Sequence, residues 1–375
     1  PYWGLLLADM VSRGEVALSD PAQKYLPHGV ALQERGRPIT LLDLSTHRSG
    51  LPSMPDNFRL EADPNPIEAY TVHDLWRVVS DFRPTRAPGE AFEYSNIGVS
   101  LLGRLLAQRA GTEYETLLKE RVLAPLRMRS TAITVSPEMA SRLAPGHDRY
   151  LQPIDVWEMK TLQASGSLRS TAHDLLQFLG AYFGDPGSGL NEAMALQLRT
   201  RFPTGGIAAL GWGAPKIDGR EIFTHEGGKT GYRSAVSFDP GTRTGIVVLQ
   251  NARTDDRPTA LALHLLTGRE LPPAPRAPVP KPSVRLAPEV LARYAGSYRS
   301  SDAIVRVLGK RDHLLVSYSA GDGGLEFLAA GEREFFYSPG HDEITFEVDG
   351  SGRVTAMRIF KEGKAGKAGD LAPRI

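Results

Sequence analysis

Pro88-Gly89-Glu90-Ala91-Phe92-Glu93-Tyr94-Ser95-Asn96-Ile97-Gly98 and, far downstream, Glu221-Ile222-Phe223-Thr224-His225-Glu226-Gly227-Gly228 are the stretches on which the reading of this chain turns. The first runs from a Pro-Gly turn signal into an apolar-periodic segment at about 97 to 110, which places Tyr94-Ser95-Asn96 at a helix-entry loop. The second is a strand pattern over Glu221 to His225 that ends on paired glycines, where another group can approach the backbone closely. Two more strand patterns follow, Arg233 to Phe238 and Thr244 to Leu249. Asp239-Pro240-Gly241-Thr242 between them is a turn whose Pro and Gly preset the dihedrals. Together these predict an α+β fold, an antiparallel sheet with a cluster of helices.

Working outward, residues 2 to 14 follow helical periodicity, with Leu5, Leu6, Ala8, Met10 and Val11 near one face and Gly14 as the stop. No Ser, Thr, Asp or Asn cap precedes this helix. Ile39 to Leu44 suits a short helix, 72 to 82 a longer one, and 48 to 66 an ordered loop over a site. Ser170 or Thr171 caps a helix whose core face is Leu175, Leu176, Phe178 and Leu179. A stiff proline-rich linker over 271–287 separates a domain at 1–270 from a second at 288–375. Short strands at regular spacing, among them Leu314 to Tyr318 and Ile344 to Val348, predict a small all-β barrel of seven or eight strands there, its aromatic residues filling the core.

The 375 residues are 41% apolar and 23% charged with a net charge of +1, ordinary for a globular chain and no invitation to nucleic acid. No apolar run reaches the roughly 18 to 20 residues of a membrane span. With no cysteine, disulfides, thiolate metal sites and cysteine nucleophiles are excluded. His47, His73, His173 and His225 lack short ligand spacing, so no metal is expected, nor any cofactor. A Gly-x-Ser-x-Gly elbow and a phosphate-binding loop are both absent.

Acyl transfer by serine needs an activated hydroxyl, groups that move its proton, and donors for the developing oxyanion. A Ser-x-x-Lys box puts hydroxyl and amine one helical turn apart; a Tyr/Ser-x-Asn box adds a proton carrier and an amide. A Lys/His-x-Gly box on a strand edge lets a carbonyl reach the backbone. The chain holds the second and third patterns, but no lysine from Lys24 to Lys367 has a serine three residues before it.

With Leu18-Ser19-Asp20-Pro21, Tyr25-Leu26-Pro27, Leu44 to Pro52, Pro88 to Gly98, Leu168 to Leu175 and the His225 box in this order, the chain resembles the class C β-lactamase-like serine hydrolases. That superfamily includes penicillin-binding carboxypeptidases, esterases and D-aminopeptidases, and the resemblance covers about residues 2 to 255. It implies Tyr94 as general base or acid and Asn96 as a contact for substrate and lysine. It further implies His225 in the place of the family's Lys, and Gly227 and Gly228 at the oxyanion side. In this frame His225, not Lys229 of Lys229-Thr230-Gly231, leads the third box. The family's Lys falls just before Pro1 and its Ser one turn earlier, so the expectation is a truncated front without the opening strands. The tail resembles lipocalin-like domains attached to some family members.

The bland alternatives stay open. Tyr94 also suits a core tyrosine, His225 a buried strand histidine, and Asn96 a helix cap. His47 reads as a loop support rather than a catalytic group, and His173 and Asp174 as helix-entry residues. The resemblance implies hydrolysis of small esters first and peptide or D-amino-acid amides second. A non-catalytic ligand- or peptide-binding relative is the competing reading. A periplasmic or secreted location fits the family, and self-association through an exposed sheet edge is expected.

Overall fold

In a computed structural model of the chain, the residues described are 1–55, 57, 68–147, 153–154, 158–184, 187–202, 209–229, 231–252, 257–273, 282–300, 304–317, 325–337, 342–361 and 368–375. The chain divides into a compact unit over Pro1–Pro273 and a second over Ala274–Ile375. Residues 274–281 of the proline-rich segment, part of the 48–66 loop, and Tyr318 lie outside the described residues.

The first helix, α1 (Tyr2–Ser12), is buried on all sides and not along one stripe: Leu5, Leu6, Leu7, Ala8 and Met10 are all inaccessible. A helix apolar around its whole circumference has to sit inside the domain. Its one buried charge, Asp9, accepts from Arg13 Nε at 2.9 Å and from Arg121 Nη1 at 3.4 Å, so the carboxylate is paired as burial demands. Next come α2 (Leu41–Ser45) and α3 (Val72–Asp81), each opened by a capping box, Thr40 with Asp43 and Thr71 with Asp74. Then α4 (Asn96–Ala110) ends on Gly111, whose φ of +68° makes the left-handed stop that glycine adopts without strain. It is followed by α5 (Tyr114–Leu118).

The largest sheet of this unit among the described residues is three antiparallel strands, β1 (Phe223–Lys229), β2 (Tyr232–Asp239) and β3 (Thr244–Gln250), with β2 in the middle. The expected strand at Glu221 to His225 is displaced. Ile222 donates to Pro215 O and leaves the ladder, while the strand continues through both glycines to Lys229. The β2–β3 turn falls where the sequence predicts one, and Asp239 Oδ1 secures it by accepting from the N–H of Gly241 at 2.8 Å and Thr242 at 3.3 Å.

The second unit is a nearly closed antiparallel barrel. Its eight strands among the described residues follow chain order, from β4 (Gly296–Arg299) to β11 (Asp370–Pro373), and a bridge between Tyr298 and Arg374 brings the two ends together. Closure pairs edges that would otherwise template aggregation. Alternate residues point inward, and Tyr294, Tyr298, Phe327, Phe335 and Phe346 fill the interior. The two tyrosine hydroxyls are satisfied there: Tyr298 donates to Tyr294 O and Tyr294 to Glu332 O, both at 2.7 Å. Phe346 touches the rings of Tyr294, Tyr298 and Phe335 at centroid distances of 4.4, 5.6 and 5.7 Å. Phe346→Ala is therefore expected to cost the barrel about 3–5 kcal/mol. Urea unfolding followed by near-ultraviolet circular dichroism would show an early transition in that variant; an unshifted curve would contradict this core assignment.

Candidate active site

The Tyr94 triplet is held by the loop that follows α2. Glu93 N–H donates to His47 O at 2.8 Å, and Ser95 N–H donates to His47 Nδ1 at 3.0 Å. Ser95 Oγ donates to Pro52 O at 2.8 Å, and Asn96 N–H to Ser53 O at 2.9 Å. Four hydrogen bonds in four residues fix the backbone on both sides of Tyr94. Ser95 is also the helix cap, its Oγ accepting from Gly98 N–H at 2.8 Å. The cap is thus Ser95 and not Asn96, whose carboxamide makes no hydrogen bond to any described residue. Likewise Tyr94 keeps its hydroxyl unbonded among the described residues and is 42% exposed, which is not how a core tyrosine sits. Its phenol is raised above the usual range, chiefly by burial and then by the nearby Glu226 carboxylate.

His47 does more than support a loop. It takes φ of +57°, in the left-handed region, and its ring stacks on that of Tyr94 with centroids 4.3 Å apart and an interplanar angle of 26°. Because Nδ1 accepts from Ser95, the ring proton resides on Nε2, which is buried without a partner among the described residues. Burial lowers the imidazole to about 4, so it stays neutral and can keep accepting. A histidine near 6.5 in the unfolded chain and about 4 in the fold contributes stability fully present above about pH 6.5. That contribution is lost as pH falls from about 6.5 toward 4, because only the unfolded chain takes up the proton there. Melting temperature is therefore expected to drop across that window in the wild type and to drop less steeply in His47→Gln; parallel slopes would refute the linkage.

Rings connect this loop to the sheet. Trp3 of α1 lies edge-on to His47 at 6.2 Å and to His225 at 5.3 Å. The structure thus brings Tyr94 and His225, read from distant stretches, onto one chain of aromatic contacts. Trp3 carried no signal in the sequence beyond its apolar helix position. His47 did carry one, in its place within Leu44 to Pro52. His225 itself is held well below the ordinary histidine range, first of all by burial, so no permanent positive charge stands at the head of the strand.

β1 is an edge strand. Thr224 exchanges both backbone hydrogen bonds with Gly213, each 2.9 Å, on the side away from β2. Backbone groups alternate sides along a strand, so the N–H groups of Glu226 and Gly228 also point to that open edge. Gly227 and Gly228 pair with Ser234 and Arg233, and a Cβ on either would come within 2.6 Å of Ser234 Oγ or 2.7 Å of Arg233 Nη1. Glycine is what lets these two side chains cross the strand. Directly after Gly228, Lys229 has a buried amine without a partner among the described residues, lowered to about 8 by burial. Among the described residues no cluster of three or more His, Asp or Glu could hold a metal ion, and no helix is long and apolar enough to cross a membrane.

A helical cluster on an antiparallel sheet, with a helix-entry Tyr-x-Asn linked through aromatic rings to a His-x-Gly strand edge, defines the class of β-lactamase-like serine hydrolases. The chain belongs to the Beta-lactamase family, whose profile matches residues 1–269. It is 31% identical over 265 residues to D-alanyl-D-alanine-carboxypeptidase/endopeptidase AmpH of Escherichia coli K12, an alignment covering 65% of this chain and 66% of that protein. It is 30% identical to a β-lactamase of the same organism, covering 67% of this chain and 72% of the relative. Penicillin-binding protein 4* of Bacillus subtilis is 23% identical and aligns with 98% of this chain and 85% of its own length. Among solved structures, a class C β-lactamase superposes with a TM-score of 0.63 at 21% identity, covering 72% of this chain and 79% of that one. These likenesses support a serine-hydrolase kind of function.

Proposed function

We propose that the chain contributes the proton-transfer and oxyanion parts of a serine acyl-transfer site acting on small esters, or on peptide and D-amino-acid amides, through an acyl-enzyme. The observation that carries this reading is the contrast within one triplet: a backbone clamped by four hydrogen bonds and, on it, a Tyr94 hydroxyl and an Asn96 carboxamide without partners among the described residues. Groups held rigidly yet unused by the fold are what preorganisation for a substrate requires. Tyr94 would move the proton of the attacking serine, with the lysine of the Ser-x-x-Lys box that the family frame puts before Pro1. Gly228 N–H, on the open edge of β1, would receive the oxyanion, with Gly227 before it letting Ser234 Oγ cross the strand. Neutral His225 would shape the pocket, and with no ammonium in that place the reading favours ester and amide substrates over β-lactams.

Hydrolysis of p-nitrophenyl butyrate tests this in two proteins, residues 1–375 and the same chain extended upstream to carry Ser-x-x-Lys. Turnover by the extended protein alone is the expected result. An acyl mass on residues 1–375 themselves would move the nucleophile to a serine within the chain. Saturable ligand binding by the extended protein with neither turnover nor adduct would replace the hydrolase with a non-catalytic binding relative.

A further inference from the structure

Away from the Tyr94 triplet, one face of α4 borders a cavity of about 240 Å³. Ser100 and Arg104 lie one turn apart on that face, roughly 6 and 12 Å along the helix axis from Asn96. Trp76 of α3, Glu113 and Tyr114 at the start of α5, and Ala164 complete the part of the wall that matters here. Its volume is several times the ~30 Å³ that one water occupies, enough for a molecule of several heavy atoms.

Three polar groups of this wall are unspent among the described residues. Ser100 is 2% exposed and its Oγ has no hydrogen-bond partner among the described residues. Arg104 makes no side-chain hydrogen bond or ion pair with any described residue, and its Nε is fully buried. Burial lowers the guanidinium below its ordinary range, a desolvation cost that the Glu113 charge offsets only in part. Glu113 lines the same cavity and is near enough to act on Arg104 electrostatically, yet it too has no ion pair or side-chain hydrogen bond with any described residue. Opposite charges that share a cavity without pairing leave room between them for a ligand bearing both signs.

We propose that this cavity binds a small zwitterion, a free α-amino acid with a short apolar side chain. Its carboxylate takes the Arg104 guanidinium and the Ser100 hydroxyl, its ammonium takes Glu113, and its side chain lies against Trp76 and Ala164. Arginine suits a carboxylate because its planar fork offers parallel donors.

Calorimetric titration of residues 1–375 with alanine of either hand, acetate and ethylammonium tests this without any need for catalysis, so it stands apart from the hydrolase reading. Alanine is expected to bind saturably, about 10-fold or more tighter than either half-ligand. Arg104→Gln should weaken alanine by at least about 10-fold, and Glu113→Gln should weaken alanine while leaving acetate unchanged. Three results would overturn the proposal: no saturation up to tens of millimolar, acetate binding as tightly as alanine, or full affinity in the Arg104 variant. Glu113 is exposed, so its variant keeps the test valid if Arg104→Gln melts early.

Discussion

Tyr94→Phe, made in the chain extended upstream, is expected to lower kcat/KM for p-nitrophenyl butyrate by ~10²–10⁴-fold, the usual worth of a positioned proton carrier. The same substitution should leave the melting temperature unchanged, because the hydroxyl it removes bonds to no described residue. The ring that stacks on His47 at 4.3 Å remains in place. Activity and stability thus separate at this position, which a packing tyrosine would not allow. A loss of kcat/KM smaller than about tenfold would show that the proton travels by another route. A large fall in melting temperature would return Tyr94 to the status of a structural residue.

Gly4→Ala is expected to be the most damaging small substitution in the first unit. A Cβ at Gly4 would lie 2.2 Å from the carbonyl oxygen of Leu210 and 2.6 Å from its carbon. That carbonyl is fixed, since Gln197 Nε2 donates to it at 2.6 Å while also donating to Pro1 O at 2.9 Å. The helix therefore has to move away from the segment it packs on. Alanine is worth about 1 kcal/mol over glycine inside a helix, and overpacking against rigid backbone costs up to about 3 kcal/mol or more. The clash wins, and a net loss of about 2 kcal/mol corresponds to a fall of roughly 4–8 °C in a domain of this size. Gly180, exposed in the helix Ala172–Ala181, provides the control: a Cβ there meets nothing within 4 Å. Gly180→Ala should gain about 0.5–1 kcal/mol from propensity alone. Thermal melts of the two variants side by side decide it; equal shifts would mean that α1 does not pack as described.

Comparison of particular elements shows what kind of information each reading needed. The barrel strands were legible because inward and outward residues alternate with period two, as in Ile344 to Val348, and the chain has only to be read along itself. The cap of the helix Ala172–Ala181 was legible for the same reason, since Thr171 bonds three residues onward. The cap at α4 went to Ser95 and not Asn96 because Ser95 Oγ, on a backbone tied to Pro52 and His47, is the oxygen that reaches Gly98 N–H. Periodicity gave α1 an apolar face but could not tell that the opposite side would be covered as well.

The candidate site divides along the same line. Tyr94, Asn96, His225, Gly227 and Gly228 stand out in the sequence because a Tyr-x-Asn at a helix entry and a His-x-Gly-Gly on a strand are local patterns, set by residues adjacent in the chain. The part of His47 and Trp3 in it is not local. The His47 ring reaches Tyr94 through a left-handed turn, and Trp3 joins His47 to His225 from a helix at the other end of the domain. The same holds for Gly4 and Gly180, alike as helical glycines and opposite in their surroundings. By itself the sequence determined which segments are helix or strand and which short motifs could carry chemistry, because hydrogen bonding and side-chain periodicity act over a few residues. Only the tertiary structure decided what each motif touches, how far it is desolvated and which polar groups are left unpaired, because those depend on contacts between segments that the chain order does not encode locally.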